Sequence, residues 1–267
     1  MLKNIVFAVF TAFCLAGCLA STTGSGLVGA DRGQLMLISS ATMDEAATTE
    51  YAKIIDAAKA AGTLNKDAKT TNRVKKIANN LIKQVGSFRE DAINWDWQVN
   101  VITEDTVNAW CMPSGKIVVY TGIIEKLSLT DAQLAAIVGH EIAHALREHS
   151  REQASQDQLR TLGVLAVGEL AGLGDVGVNM LNLASQYTIT LPFSRSHETE
   201  SDHIGTELMA RAGYDPNEAV AVWEKMEKLG GSNMPEILST HPSHATRIKD
   251  LKEIAQKVYP LYQEAKK

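Results

Sequence analysis

The chain predicts an α+β domain that is mostly helical, with a small β-sheet set beside one buried helix. Apolar residues recur at helical spacing in several separate stretches, whereas strict alternation occurs around Trp95–Val101 only. Two β-rich runs flank Pro113-Ser114-Gly115, a hairpin signal. The helix from Thr130 onward is apolar nearly all round, the usual mark of burial, yet it carries two histidines and a glutamate.

Length and composition suit this class. The chain has 267 residues, 45% apolar and 21% charged, enough for one sizeable domain or two small ones. A net charge of −5 argues against a nucleic-acid partner.

The first 17 residues read as a secretory leader, with Lys3 before an uncharged apolar core from Ile5 to Ala16. It ends in Leu15-Ala16-Gly17-Cys18, which resembles a bacterial lipobox. That resemblance implies cleavage before Cys18, lipid chains on Cys18 and a membrane anchor. Leu19 rather than Asp at the second mature position implies the outer membrane, facing the periplasm. Removing the leader leaves Cys111 as the only other cysteine, so no internal disulfide is expected and Cys111 reads as a packed side chain. Residues 18–42, with the run Ser21–Ala30, are expected to form a flexible tether, and 43–267 the folded domain.

Within the domain, helices are predicted over about 43–61 and 68–85, both packing beside the helix that starts at Thr130. A strand is predicted from Trp95, then a hairpin pairing Asn108–Met112 with Lys116–Tyr120. Thr130 and Gln133 form a capping box that opens the next helix. It contains His140-Glu141-Ile142-Ala143-His144. His140 and His144, four apart, project from one face and can grip one zinc ion, and Glu141 can reach a water on that ion. A bound metal supplies the partner that buried polar groups require. The hairpin just before this helix offers Asn108, Ala109, Trp110, Cys111 and Met112 as an edge strand for an extended substrate; an ordinary hairpin covering the core fits as well.

A catalytic zinc takes three protein ligands and keeps one position open. A third histidine in the extended H-E-x-x-H-x-x-G-x-x-H pattern is excluded, because Arg147 and Ser150 stand at the required positions. His149, read on a continuing helix, faces away from His140. Residues 147–160 are expected to be polar and exposed, and 161–183 to form two short helices broken near Gly172-Leu173-Gly174, either core, the preferred reading, or a partly exposed apolar flap near the cleft. The third ligand is then expected from Glu198 on a later helix. Asp202, four residues on, is placed to hold a ligand histidine through its other ring nitrogen. By this spacing Glu200 is dispensable. Helices about Val222 and Trp223, and from about Ser243 to Tyr259, complete the core.

Together these motifs resemble the M48 family of zinc metallopeptidases, the group of the Ste24-, HtpX- and Oma1-like enzymes, over most of the mature chain. Asn108–Gly115 resembles the family's strand and turn, His140–His144 its zinc motif, and Glu198-Thr199-Glu200-Ser201-Asp202 its E-x-E-A-D motif, with Ser201 in place of Ala. The resemblance implies a zincin-like metallopeptidase domain holding one zinc per chain on His140, His144 and Glu198, with Glu141 as general base. It implies hydrolysis of misfolded or misassembled envelope proteins, in a branch of periplasm-facing lipoproteins. A chaperone-like lipoprotein that keeps the zinc site but cleaves little is the alternative. The chain alone makes His241 a surface residue of a turn stiffened by Pro242. The family's late His-Pro signature, with Arg247, implies a role at the site. Two roles are open: stabilising the oxyanion, or occupying zinc's fourth position in a latent state. Oligomeric state is not legible.

Overall fold

In a computed structural model describing residues 19–185, 191–229, 236–241 and 246–267, ten helices and five strands are placed. The leader, Cys18 and Pro242 lie outside the described residues.

Three strands form the main sheet: β3 (Gln98–Ile102), β4 (Ala109–Met112) and β5 (Lys116–Tyr120). Their order is β3-β5-β4, with β5 parallel to β3 and antiparallel to β4. β5 is therefore central, and its first four residues are buried. β4 is an edge strand, in register through Ala109 with Val119 and Met112 with Lys116. The β4–β5 turn uses positive φ at Ser114 and Gly115. A Cβ on Gly115 would stand 2.6 Å from the Trp97 ring, so that position requires glycine.

The strand expected from Trp95 starts only at Gln98. Residues Asp91–Asn94 make a short 3-10 turn, and Trp95 stacks on Trp97 at 5.5 Å instead of joining the ladder. The alternation there reflects indole packing, not strand pairing.

Helix α1 (Ser40–Ala60) is capped by Ser39, whose hydroxyl accepts from Thr42 N. It lies on the sheet, with Tyr51, Ile55 and Ala58 against Ile102 and Val118, rather than beside the motif helix as expected. Helix α2 (Ala68–Ile82) does pack there, through the main core that holds Val74, Ile77 and Leu81. After the short α3 (Thr121–Lys126) comes the motif helix α4 (Asp131–Leu146), with both hydrogen bonds of the Thr130–Gln133 capping box formed. Thirteen of its sixteen residues are buried, which is why it reads as apolar all round.

Helices α5 (His149–Leu170) and α6 (Asp175–Ser185) follow, then α7 (Leu191–Arg211) and α8 (Asn217–Leu229). The short α9 (Glu236–Thr240) and α10 (Arg247–Ala265) end the chain. Helix α4 packs on α7, α8, α2 and β4, and α7 packs on α10. The α4–α7 crossing is made at two glycines. A Cβ on Gly205 would lie 2.7 Å from His140 N, and one on Gly139 2.9 Å from Gly205 O. Only hydrogen at both positions lets the backbones meet, and that closeness brings two motifs some sixty residues apart into one site.

Three expectations are corrected. Residues 18–42 are not a free tether where described. Leu19–Ala20 (β1) pairs antiparallel with Gln34–Leu35 (β2), while Thr23, Val28, Ala30 and Gln34 are buried. The segment 147–160 is not simply exposed: Arg147, Glu148, His149, Glu152, Ser155 and Gln156 face inward. The break at Gly172 is present, with φ +63°, but 161–183 is not core. Leu162, Leu165, Leu170, Val176 and Met180 are all more than half exposed. Among the described residues no helix is long and apolar enough to cross a membrane.

Candidate metal centre

Helix α4 presents His140 and His144 one turn apart, and α7 presents Glu198 and Asp202 with the same spacing. Because the helices cross at Gly139 and Gly205, the two faces meet. His140 Nε2 lies 3.0 Å from His144 Nε2 and 3.4 Å from Glu198 Oε2, and His144 Nε2 lies 3.4 Å from Glu198 Oε1. His241, just past α9, adds its Nδ1 at 2.9 Å from Glu198 Oε1 and 3.3 Å from His140 Nε2. Atoms bonded to one tetrahedral zinc at about 2.0–2.2 Å lie roughly 3.3–3.5 Å apart, so these spacings fit a single ion. His140, His144, Glu198 and His241 could thus hold a metal.

The proton positions point the same way. His140 Nδ1 is 3.0 Å from Asp202 Oδ1, an acceptor, so the proton of a neutral His140 sits on Nδ1 and its Nε2 lone pair faces the cluster. Burial opposes a charged His140, but hydrogen bonds to Asp202 and Glu198 outweigh it and push its pKa up to about 9. Burial takes His144 down to about 3. Glu198 is held far below the usual carboxylate range: burial opposes this, and His140, His144 and His241 overcome it. The cluster thus attracts one positive charge, a proton or a cation.

Asp202 is buried and also held low, because Arg247 and His140 outweigh its desolvation. Arg247 donates to it through Nε and Nη2, both at 2.7 Å, and reaches Glu198 Oε2 at 3.2 Å. Its guanidinium lies 3.3 Å from the Trp223 ring centre. Arg247 is fully buried and engaged by carboxylates, so it braces the cluster instead of facing a substrate oxyanion.

Glu141 follows His140 on α4 and lines the same cleft as His144, Glu198 and His241. It is 3% exposed, burial raises its pKa, and its Oε1 has no hydrogen-bond partner among the described residues. His241 Nε2 stands 3.4 Å from that oxygen. That cleft has a volume of about 330 Å³ and is lined also by Trp110, Cys111 and Met112 of β4. Asn108 is buried just before this edge and donates from Nδ2 to Glu236 on α9. Ala109 is 1% exposed, facing the core, and cannot line the cleft directly. Burial pushes the Cys111 thiol well up, consistent with a packed side chain.

Sequence reasoning missed one group. Helix α4 ends at Leu146, and Glu148 takes a left-handed φ of 49°. The chain therefore turns before His149, whose Nδ1 comes 2.9 Å from His144 Nδ1. Extrapolating a continuous helix had placed His149 on the far side. No glycine or asparagine marks the turn, so nothing local announced it. Around His149 lie Glu200, Glu152 and His197, with Arg147 and Arg32.

The chain is 39% identical over 170 residues to mitochondrial metalloendopeptidase OMA1 of Arabidopsis thaliana, covering 63% of this chain and 34% of that protein. It is 38% identical over 160 residues to the OMA1 of Schizosaccharomyces pombe, covering 59% and 46%. To the beta-barrel assembly-enhancing protease of Escherichia coli it is 29% identical over 171 residues, covering 60% and 35%. The chain thus spans less than half the length of these relatives. The model of peptidase family M48 matches residues 68–255, a span that contains β3 to β5, both histidines of α4, Glu198 and Arg247, and on this match the chain belongs to peptidase family M48.

Proposed function

We propose that this chain is a zinc-dependent endopeptidase of the bacterial cell envelope that cleaves unfolded or misassembled envelope proteins. One observation carries the metal reading. His140 Nε2, whose ring turns its Nδ1 to Asp202, meets His144 Nε2 at 3.0 Å beside the buried Glu198 carboxylate. Two imidazole nitrogens and a carboxylate converging at these spacings are a donor set that suits zinc.

A zinc ion held there would polarise the scissile carbonyl and lower the pKa of the attacking water. The chain's own residues supply the rest. Edge strand β4 offers its free backbone to an extended peptide beside the cleft that Glu141 also lines. Glu141, raised by burial, takes the water's proton and returns it to the leaving amine. Asp202 and Arg247 hold His140 and Glu198 in place.

His241 supports a restrained resting state. Its Nδ1 sits among the donor atoms, where it would take the fourth position. A client-binding lipoprotein that cleaves little is the second reading, and this contact favours it. The envelope assignment draws on the lipobox at Cys18 and on the name of the E. coli relative. The deciding experiment compares casein and unfolded-client cleavage by wild type and Glu141→Gln, with zinc measured in both. Zinc retained in both with cleavage lost only in the variant is the expected result, a loss of about 10²–10⁴-fold. Equal cleavage by both would sink the peptidase reading, and cleavage by neither would favour client binding.

A further inference from the structure

The cluster beyond His144 is given no role in the chemistry above, although its His149 and His197 line the same cleft. His149 is 3% exposed, and so is joined to its neighbours by protein hydrogen bonds. Its Nε2 lies 3.0 Å from Glu200 Oε2 and its Nδ1 lies 2.9 Å from His144 Nδ1. Glu200 is gripped in turn by two arginines. Arg147, fully buried, reaches Oε2 at 3.1 Å, and Arg32 donates from Nε to Oε1 at 2.7 Å.

The proton count has one neutral solution. A carboxylate only accepts, so the His149 proton is on Nε2, pointing at Glu200. Its Nδ1 then carries a lone pair, which the Ser201 hydroxyl at 3.3 Å and His144 Nδ1 at 2.9 Å both face; because two ring lone pairs repel at 2.9 Å, His144 donates from its own Nδ1. That leaves the His144 Nε2 lone pair aimed at Glu198 and His140. The reverse tautomer of His144 would need a doubly protonated His149, a buried imidazolium beside the Arg147 guanidinium.

We propose that His149 and Glu200 are positioning residues, a relay in which Glu200 fixes His149 and His149 fixes His144 as the Nδ1–H tautomer. Each ligand histidine then has a carboxylate and an arginine behind it. His140 has Asp202 and Arg247 directly. His144 has Glu200 with Arg147 and Arg32 through one intervening imidazole. The relay gives the N-terminal segment a hand in the metal centre, because Arg32 lies between β1 and β2. It also makes Glu200 important, against its expected dispensability.

A second metal site on His149, Glu152 and His197 is the rival reading, since their donor atoms lie within 4.8 Å of one another. The rings argue against it. His149 and His197 stack at 4.3 Å with planes 17° apart, so their in-plane lone pairs run side by side and do not converge. Glu152 is already bonded to Arg32, Gln34 and His197.

The relay rests on the zinc reading, and the test separates the two. Zinc affinity of the full chain is measured by chelator competition, and the visible spectrum of the cobalt(II)-loaded protein reports ligand geometry. His149→Leu and Glu200→Ala should weaken zinc about 10–100-fold and alter the cobalt spectrum. His149→Gln, whose amide oxygen can accept from His144, should recover much of the loss. If His149→Leu does not fold, Glu200→Gln and Glu200→Ala decide, because the amide oxygen still accepts from His149 and should bind zinc more tightly than alanine does. Unchanged zinc affinity and spectrum in the folded variants would overturn the relay, as would equal impairment by Leu and Gln at 149 or by Gln and Ala at 200. Wild type that binds no zinc would overturn the zinc reading beneath it.

Discussion

His140 and His144 are chemically alike and one turn apart, yet their surroundings push them in opposite directions. His140 is raised to about 9 and His144 lowered to about 3. The difference is the direct carboxylate: Asp202 touches His140, while His144 has an imidazole in that place. A consequence for metal binding follows. At any pH below about 9 the metal-free site holds a proton on His140 that the ion must displace. Apparent zinc affinity should therefore rise about tenfold per pH unit between pH 6 and 8 and level off near 9, with no contribution from His144 above pH 4. Chelator competition, corrected for the chelator's own titration, checks this; a flat profile would contradict the His140–Asp202 coupling. His241 gives a prediction of sign. If it restrains the site, His241→Ala should raise basal cleavage of an unfolded substrate with zinc retained. If instead it stabilises an oxyanion, kcat should fall by about 10²–10³. No change in either quantity would return His241 to a plain turn residue.

At the scale of elements, the α4–α7 crossing decides whether a site exists. Gly205→Ala places a methyl 2.7 Å from His140 N, against backbone that cannot swing aside. The expected cost is about 1–3 kcal/mol of stability, with zinc affinity falling as Glu198 and Asp202 move away from α4. Thermal unfolding of the zinc-free protein and zinc titration measure the two effects. Wild-type stability in Gly205→Ala would mean that the helices separate without strain. The hairpin, the capping box and the motif helix were all legible, because turn residues, cap chemistry and 3.6-residue periodicity are local. The turn between α4 and α5 was not, because Glu148 adopts φ 49° without a residue type that favours it. For α5 and α6 the preferred core reading fails and the exposed-flap reading fits most of their apolar residues, since apolar composition does not say which face is covered.

For the whole molecule, the described N-terminal segment is a strap rather than a spacer. Leu19, the residue after Cys18, is already paired in β1, and Arg32 and Gln34 reach α5 and α7. A lipid on Cys18 would then hold the domain close against the membrane, not at the end of a free leash. Cys18→Ser should abolish metabolic palmitate labelling, whether or not the leader is then trimmed. Label that persists in the variant would exclude Cys18 as the anchor.

Residue type and spacing alone determined the α+β class, the paired histidines, Glu141 between them and the carboxylate pair on a second helix, because each is a local pattern with a chemical reason. Tertiary structure decided what those patterns touch. It set Glu198 against both imidazoles through two glycines that carry no chemistry, turned His149 back onto His144 at a left-handed residue, and bound Arg32 to Glu200 from 168 positions away. Such contacts depend on where elements cross and on which protons remain to be shared, and neither is written in any one stretch of the chain.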